Sequence, residues 1–310
     1  MHDMGWTTGG AAARAGKPGA AVAPTRNGRR IMLRAGGAFA AACALSALPA
    51  CERVRGQASG WAGMRVLEVR ETQFGRLAVV ESGRRRYLAY GPGERLVFQS
   101  VVDLDRPHEL YAPYMRLMML GVVYAEPCER IVQIGVGAGN MTGHAIRTLP
   151  SAVVDAIDVD PHALELGARY FGLVPDPRLR VHVADGAAWL AASVEQFDCV
   201  MLDAYDAVSI PPALMTPAFF ATVAARLAPG GVVMQNVYLP NVDEDELLAA
   251  MRTAFAQIDA YRAGDSAVLA AYQGAARQRD RLMARAQRLD ASLRPVHSFV
   301  EQLAFRVSAG

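Results

Sequence analysis

The 310-residue chain has few cysteines, almost no excess charge and no long apolar run. Its four cysteines, Cys43, Cys51, Cys128 and Cys199, lack the spacing that ligates zinc and are too few in the folded part for a disulfide framework. Cys199 lies inside an apolar run and reads as a buried small hydrophobe. His108, His144, His162, His182 and His297 show no mutual metal spacing either, so no metal is expected; a ligand contact stays open for His144. Against 32 basic residues stand 30 acidic ones, and no long basic run interleaved with aromatics offers nucleic acid a landing surface. The densest positive spot, Arg84-Arg85-Arg86, reads as a solvated hairpin. What the chain does have is an apolar content of 52%, enough for an ordinary buried core in one or two domains.

Residues 1–63 differ from the rest and are assigned to a targeting segment and linker. A Gly/Ala/Pro-rich start is followed by Arg29, Arg30 and Arg34, then by an apolar stretch over residues 35–50 that is too short for a comfortable membrane span. Arg29-Arg30-Ile31-Met32-Leu33-Arg34 resembles a twin-arginine export signal, and Leu48-Pro49-Ala50-Cys51 resembles a bacterial lipobox. Together they predict export and a lipid anchor at Cys51 on the membrane. Translation from Met64 would instead give a cytoplasmic protein with every chemical feature below intact.

Residues 64–106 carry short apolar runs, 64–69, 75–80, 87–90 and 96–101, broken by Ser82-Gly83 and Gly91-Pro92-Gly93. Such turn chemistry predicts a small antiparallel β domain. A helical segment is expected from Pro107, with Leu110, Tyr114, Leu117, Met118 and Gly121 on a packed face. From Ile131, strand patterns at 130–134, 153–157, 179–183, 197–202, 231–236 and 267–271 alternate with helical stretches at 141–148, 161–170 and 243–255. Apolar strands separated by helices predict a parallel sheet covered on both faces, a Rossmann-like domain of the class I methyltransferase type over residues 107–310. Residues 276–293 read as a solvated amphipathic helix and 299–307 as a last strand.

The chemistry is expected at the carboxyl ends of these strands. The first ends in Gly135-Val136-Gly137-Ala138-Gly139-Asn140, where closely spaced glycines allow a tight turn and close ligand approach. The second ends in Asp158-Val159-Asp160, so Asp158 stands where an acid accepts hydrogen bonds from ribose hydroxyls, while Asp160 and Pro161 fit a helix cap. The third ends in Asp185-Gly186, with Asp185 expected near an adenine amino group and Trp189 packing nearby. Three such strand ends in succession predict a crevice for a nucleoside of the adenosylmethionine type. The fourth strand runs into Asp203-Ala204-Tyr205-Asp206. An amine is protonated in water and attacks poorly until a base removes its proton, so two acids here suit an amine nucleophile. Asp203 is the candidate base and Asp206 the candidate anchor; their mutual repulsion is expected to raise one pKa.

From about residue 64 to residue 307 the sequence resembles the spermidine synthase, or polyamine aminopropyltransferase, family. Asp203-Ala204-Tyr205-Asp206-Ala207 is similar to that family's Asp-Ser-Ser/Thr-Asp-Pro, whose first acid is its base and whose second helps seat the amine. Asp158-Val159-Asp160 is similar to its Glu-Ile-Asp, and Asp185-Gly186 to its Asp-Gly. Pro212-Ala213-Leu214 with Phe219-Phe220 echoes its Pro-Ala-x-x-Leu and Phe-Tyr. The resemblance implies Gln235, Tyr261 and Tyr111 as amine-binding residues, with Tyr111 standing in the region of the family's Tyr-Gln-Glu segment. It also implies a small N-terminal β domain, a homodimer or homotetramer, and aminopropyl transfer from decarboxylated S-adenosylmethionine to a small amine, with no tightly bound cofactor. Two departures matter. Ala138 replaces the Asp that binds the aminopropyl ammonium, and Tyr111-Ala112-Pro113-Tyr114-Met115 lacks the family's carboxylate. They leave open a methyltransferase using ordinary S-adenosylmethionine, or a lipid-anchored binding protein that has lost catalysis.

Overall fold

The computed structural model describes residues 63–91, 97–206 and 209–307. The export signal, the lipobox and Cys51 lie outside them. Strands β1 (Arg65–Thr72), β2 (Gly75–Ser82), β3 (Arg85–Gly91) and β4 (Val97–Asp103) form an antiparallel sheet in sequence order. Its inner face, Leu77, Val79, Leu88 and Val102, packs on Ala138, Ala163, Leu166 and Phe171 of the larger domain. The arginine triplet is only partly solvated. Arg86 is half-buried, pairs with Glu81 and donates to the Tyr170 carbonyl, and Arg85 lies over the Tyr111 ring.

The helix expected from Pro107 begins later, at α1 (Pro113–Met118), with proline in its first turn where no N–H is required, and is followed by α2 (Gly121–Tyr124). Next come β5 (Arg130–Ile134), α3 (Asn140–Thr148), β6 (Val153–Asp158), α4 (Pro161–Tyr170), β7 (Leu179–Val183), α5 (Gly186–Ala192) and β8 (Phe197–Leu202). Asp160 caps α4 as expected, accepting from the His162 N–H. The chain continues through α6 (Pro217–Ala225), β9 (Leu227–Tyr238), α7 (Glu244–Arg252), β10 (Gln257–Ala263), β11 (Ser266–Tyr272), α8 (Arg279–Leu293), α9 (Phe299–Leu303) and β12 (Arg306–Val307).

The second sheet runs β12-β10-β11-β9-β8-β5-β6-β7 among the described residues. The strands from β9 to β7 are parallel, as expected. The 267–271 strand is not: as β11 it inserts between β9 and β10, antiparallel to both. β10 was not expected, because Asp259 and Arg262 interrupt its apolar pattern. The last expected strand is mostly helix α9, capped by Ser298, with a two-residue strand after it. One face of the sheet packs on α1, α2, α8 and α9, and the other on α6 and α7. No described helix is long and apolar enough to cross a membrane.

Candidate active site

The carboxyl ends of β5, β6 and β8 converge on the glycine turn. Gly135, Gly137 and Gly139 have φ of +84°, +54° and +79°, the left-handed region that side chains resist. Crowding adds to this at Gly135, where a Cβ would stand 2.4 Å from the Asp203 carbonyl oxygen and 2.6 Å from the Ala204 Cα. The turn is thus shaped around the loop that carries Asp203. Gly186 is glycine for a different reason: a Cβ there would meet the Ile134 side chain at 2.3 Å.

Every backbone N–H from Gly135 to Gly139 is engaged within the protein. Gly135 donates to the Ile157 carbonyl at 2.9 Å, and Gly139 to Val136 at 2.9 Å. Val136 and Gly137 donate to Asp158 Oδ2 at 2.8 and 2.9 Å, and Ala138 donates to Ser100 Oγ at 3.1 Å. A dinucleotide site needs such N–H groups free for a pyrophosphate. This turn instead presents carbonyls and carboxylates, which suits a ligand without phosphates. Asp158 also accepts the Asp160 N–H through Oδ1, so loop contacts already orient it; burial raises its pKa against those bonds. Asp185 is exposed and caps α5 by accepting the Ala188 N–H at 2.8 Å.

Asp203 is the chemical centre. Its Oδ1 accepts from the Asn236 amide at 2.7 Å and its Oδ2 from the Tyr114 hydroxyl at 3.4 Å. Burial raises its pKa to about 7, the two hydrogen bonds oppose the rise, and the Asp158 charge adds to it. The repelling neighbour is therefore Asp158 rather than Asp206. Asp206 lies outward, its carboxylate accepting the Ser209 N–H at 2.8 Å to close a turn. Tyr205 ties the same loop to β9, accepting the Tyr238 N–H at 2.8 Å and donating to the Asn236 carbonyl at 3.2 Å.

Two partners of Asp203 escaped the sequence reading. Tyr114 was placed on a packed helical face, and Asn236 stood beside the residue chosen. Neighbouring strand residues face opposite sides of a sheet. Asn236 shares the Asp203 side, whereas Gln235 is level with Leu202 and Leu269 on the other face, its amide donating to the Leu202 and Asn236 carbonyls. Asn236 Oδ1 is buried and has no hydrogen-bond partner among the described residues.

Tyr261 and Tyr111 are not brought to Asp203. Tyr261 is level with it but three strands across, about 14 Å at the ~4.8 Å strand spacing. It is fully buried, hydrogen-bonded to Tyr124 at 2.6 Å, in a network where Tyr124, Tyr272 and Arg306 converge on Asp259. Tyr111 packs against the N-terminal sheet. His144 is buried with Nδ1 3.1 Å from the His108 carbonyl, and among the described residues no group of His, Cys, Asp or Glu is arranged to hold a metal.

Residues 114–263 match the model of the spermine/spermidine synthase domain. A polyamine aminopropyltransferase of Vibrio vulnificus is 27% identical over 168 residues, 53% of this chain and 56% of that protein. One from Chromobacterium violaceum is 31% identical over 159 residues, 51% of this chain and 60% of that protein. The chain thus spans little more than half the length of these curated relatives. The crystal structure of a spermidine synthase in complex with the transition state analogue AdoDATO shares the fold, with a TM-score of 0.62 at 17% identity over 79% of this chain and 86% of that one. Turn, acids and topology agree with these matches: residues 114–263 are similar to the spermine/spermidine synthase domain.

Proposed function

We propose that the protein transfers an aminopropyl group from decarboxylated S-adenosylmethionine to a small amine, with Asp203 as the base. One observation carries the reading. A carboxylate held between Tyr114 and Asn236, with its pKa lifted to about 7, stands against the glycine turn. A base of that strength takes a proton from an ammonium more readily than an ordinary carboxylate does. The residues also fit the donor: Asp158, Asp185 and Asp203 give the crevice negative charge for a sulfonium, and the turn offers no free N–H to a phosphate.

In this reading the sulfonium lies against Gly135, Gly137 and Gly139, ribose meets Asp158, and adenine lies near Asp185 and Gly186. The amine gives its proton to Asp203, and its lone pair attacks the carbon next to sulfur. A C–N bond forms, the C–S bond breaks, and its electron pair leaves with sulfur as methylthioadenosine. The positive sulfur already activates the leaving group, so the protein contributes orientation and charge placement. Asn236, with its unpaired Oδ1, takes the orienting role first given to Gln235, and Asp206 anchors the far end of the amine at the mouth. Replacing Asp203 by Asn should keep nucleoside binding and abolish most turnover; unchanged turnover would refute the assignment.

A second reading, methyl transfer from ordinary S-adenosylmethionine, is favoured by Ala138. This residue is fully buried, its methyl group in the apolar cluster beneath the N-terminal sheet, so position 138 supplies no carboxylate for an aminopropyl ammonium. Tighter binding of S-adenosylmethionine than of its decarboxylated form would select it. Export with a lipid anchor at Cys51, assembly as a homodimer or homotetramer, and domain limits at 63/64 and 106/107 are further parts of the proposal. Size-exclusion chromatography with light scattering and membrane fractionation would test the first two, and limited proteolysis the third.

A further inference from the structure

Strand β4 belongs to the N-terminal sheet, yet it touches both loops of the candidate site. Ser100 is almost completely buried, and its Oγ accepts the Ala138 N–H at 3.1 Å in the middle of the glycine turn. The same oxygen lies so close to Gly137 that a Cβ there would stand 2.9 Å away. Its neighbour Gln99 donates from Nε2 to the Asp206 carbonyl at 3.3 Å, on the loop that follows Asp203. Around these contacts Leu77, Val79, Leu88 and Val102 cover Ala138 from the same sheet. The other turn N–H groups are held by β6 or by the turn itself, so Ser100 is the brace that comes from outside the Rossmann-like sheet.

We propose that Ser100 is a positioning residue for the donor nucleoside, its hydroxyl holding the Gly135 to Gly139 turn in the shape that receives the ligand, with Gln99 as a weaker latch on the catalytic loop. The inference rests on the nucleoside site proposed above. Removing the hydroxyl leaves the Ala138 N–H buried and unpaired, the costly half of a broken hydrogen bond. The turn, whose three glycines rotate more freely than other residues, relaxes by rotating that peptide. Donor binding weakens as the turn leaves its receptive form, while chemistry at Asp203, on another loop, is little affected once the site is saturated.

The test compares the full chain with Ser100→Ala, Ser100→Thr and Val80→Ala. Val80 is fully buried on the opposite face of the same sheet, with Ala78, Tyr87 and Val101, so Val80→Ala thins the N-terminal sheet's packing away from the turn. Amide hydrogen exchange over residues 135–140 and calorimetric binding of methylthioadenosine and S-adenosylmethionine are measured with the melting temperature, and KM and kcat where turnover is seen. Ser100→Ala should speed exchange in the turn, weaken nucleoside binding and raise donor KM by about five- to twentyfold, the range expected for one buried hydrogen bond, with kcat nearly unchanged. Ser100→Thr, which keeps the hydroxyl, should restore both, and Val80→Ala should lower the melting temperature without changing affinity. Unchanged exchange, or unchanged affinity with faster exchange, would overturn the role of Ser100 while leaving the nucleoside reading standing. A wild-type protein that binds neither nucleoside would overturn that reading and the positioning role with it. Exchange needs no ligand, so it still shows then whether Ser100 braces the turn.

Discussion

Asp203 should impose an acid limb near neutrality on the reaction. Its carboxyl titrates at about 7 because burial and the Asp158 charge outweigh the bonds from Asn236 and Tyr114. The free enzyme therefore loses its base as pH falls through 7, and kcat/KM, measured with donor and amine both below saturation, should drop to about a tenth of its plateau at pH 6. In kcat the limb should move to lower pH, since a bound sulfonium favours the carboxylate. The same shift has a stability consequence of opposite sense. The folded state holds this proton to higher pH than the unfolded chain, so the contribution of Asp203 is greatest below about pH 4 and is lost as pH rises through 7. A rise of about three units, at about 1.4 kcal/mol each, sets a ceiling of about 4 kcal/mol. Solvent reaching this half-buried group reduces it to about 1–2 kcal/mol. Asp203→Asn should thus be inactive yet more stable than the parent at pH 8, with no such gain at pH 4. Stopped assays across pH 5–9 and urea unfolding at the two pH values read both effects. A kcat/KM flat from pH 5 to 8, or an Asn variant less stable at pH 8, would refute the environment assigned to Asp203.

Other substitutions follow from the same geometry. Asn236→Ala removes a hydrogen bond that lowers the Asp203 pKa, so the acid limb should move to higher pH, whereas Gln235→Ala, on the opposite face, should reduce stability and leave the limb in place; pH–rate profiles distinguish them. Gly135→Ala forces a side chain against backbone at a φ of +84° and should cost about 2 kcal/mol or more in urea unfolding, with loss of nucleoside binding. Tyr261→Phe breaks the bond to Tyr124 in a buried network and should destabilise by about 1–3 kcal/mol while leaving amine KM unchanged; a raised amine KM would show that it reaches the substrate after all.

The parallel core of the fold was legible because its signals are local and strong. β5 and β8 are largely apolar runs closed by Gly135 and Asp203, β7 alternates apolar residues with Arg180 and His182 just before Ala184-Asp185, and the limits of all three coincide with the pattern in the chain. β10 was hidden because Asp259 and Arg262 point into polar pairings formed only in the folded protein. The antiparallel sense of β11 depends on that missed strand. At the site, the acids ending β6, β7 and β8 were visible as residues, but their surroundings were not. The choice between Gln235 and Asn236 turns on strand register across β8, β9 and β11, which no local pattern encodes. Tyr114 sits at core-like helical spacing, and only the approach of α1 to the end of β8 turns its hydroxyl toward Asp203. Ser100 lies 38 residues before Ala138 and shares no motif with it.

The most direct test of the central proposal is to incubate the purified full chain with decarboxylated S-adenosylmethionine and a panel of diamines, and to measure methylthioadenosine by mass spectrometry. The expected result is release that depends on an amine and disappears in Asp203→Asn. Absence of release from a folded protein that still binds ordinary S-adenosylmethionine would contradict aminopropyl transfer and leave methyl transfer or a catalytically silent binding protein.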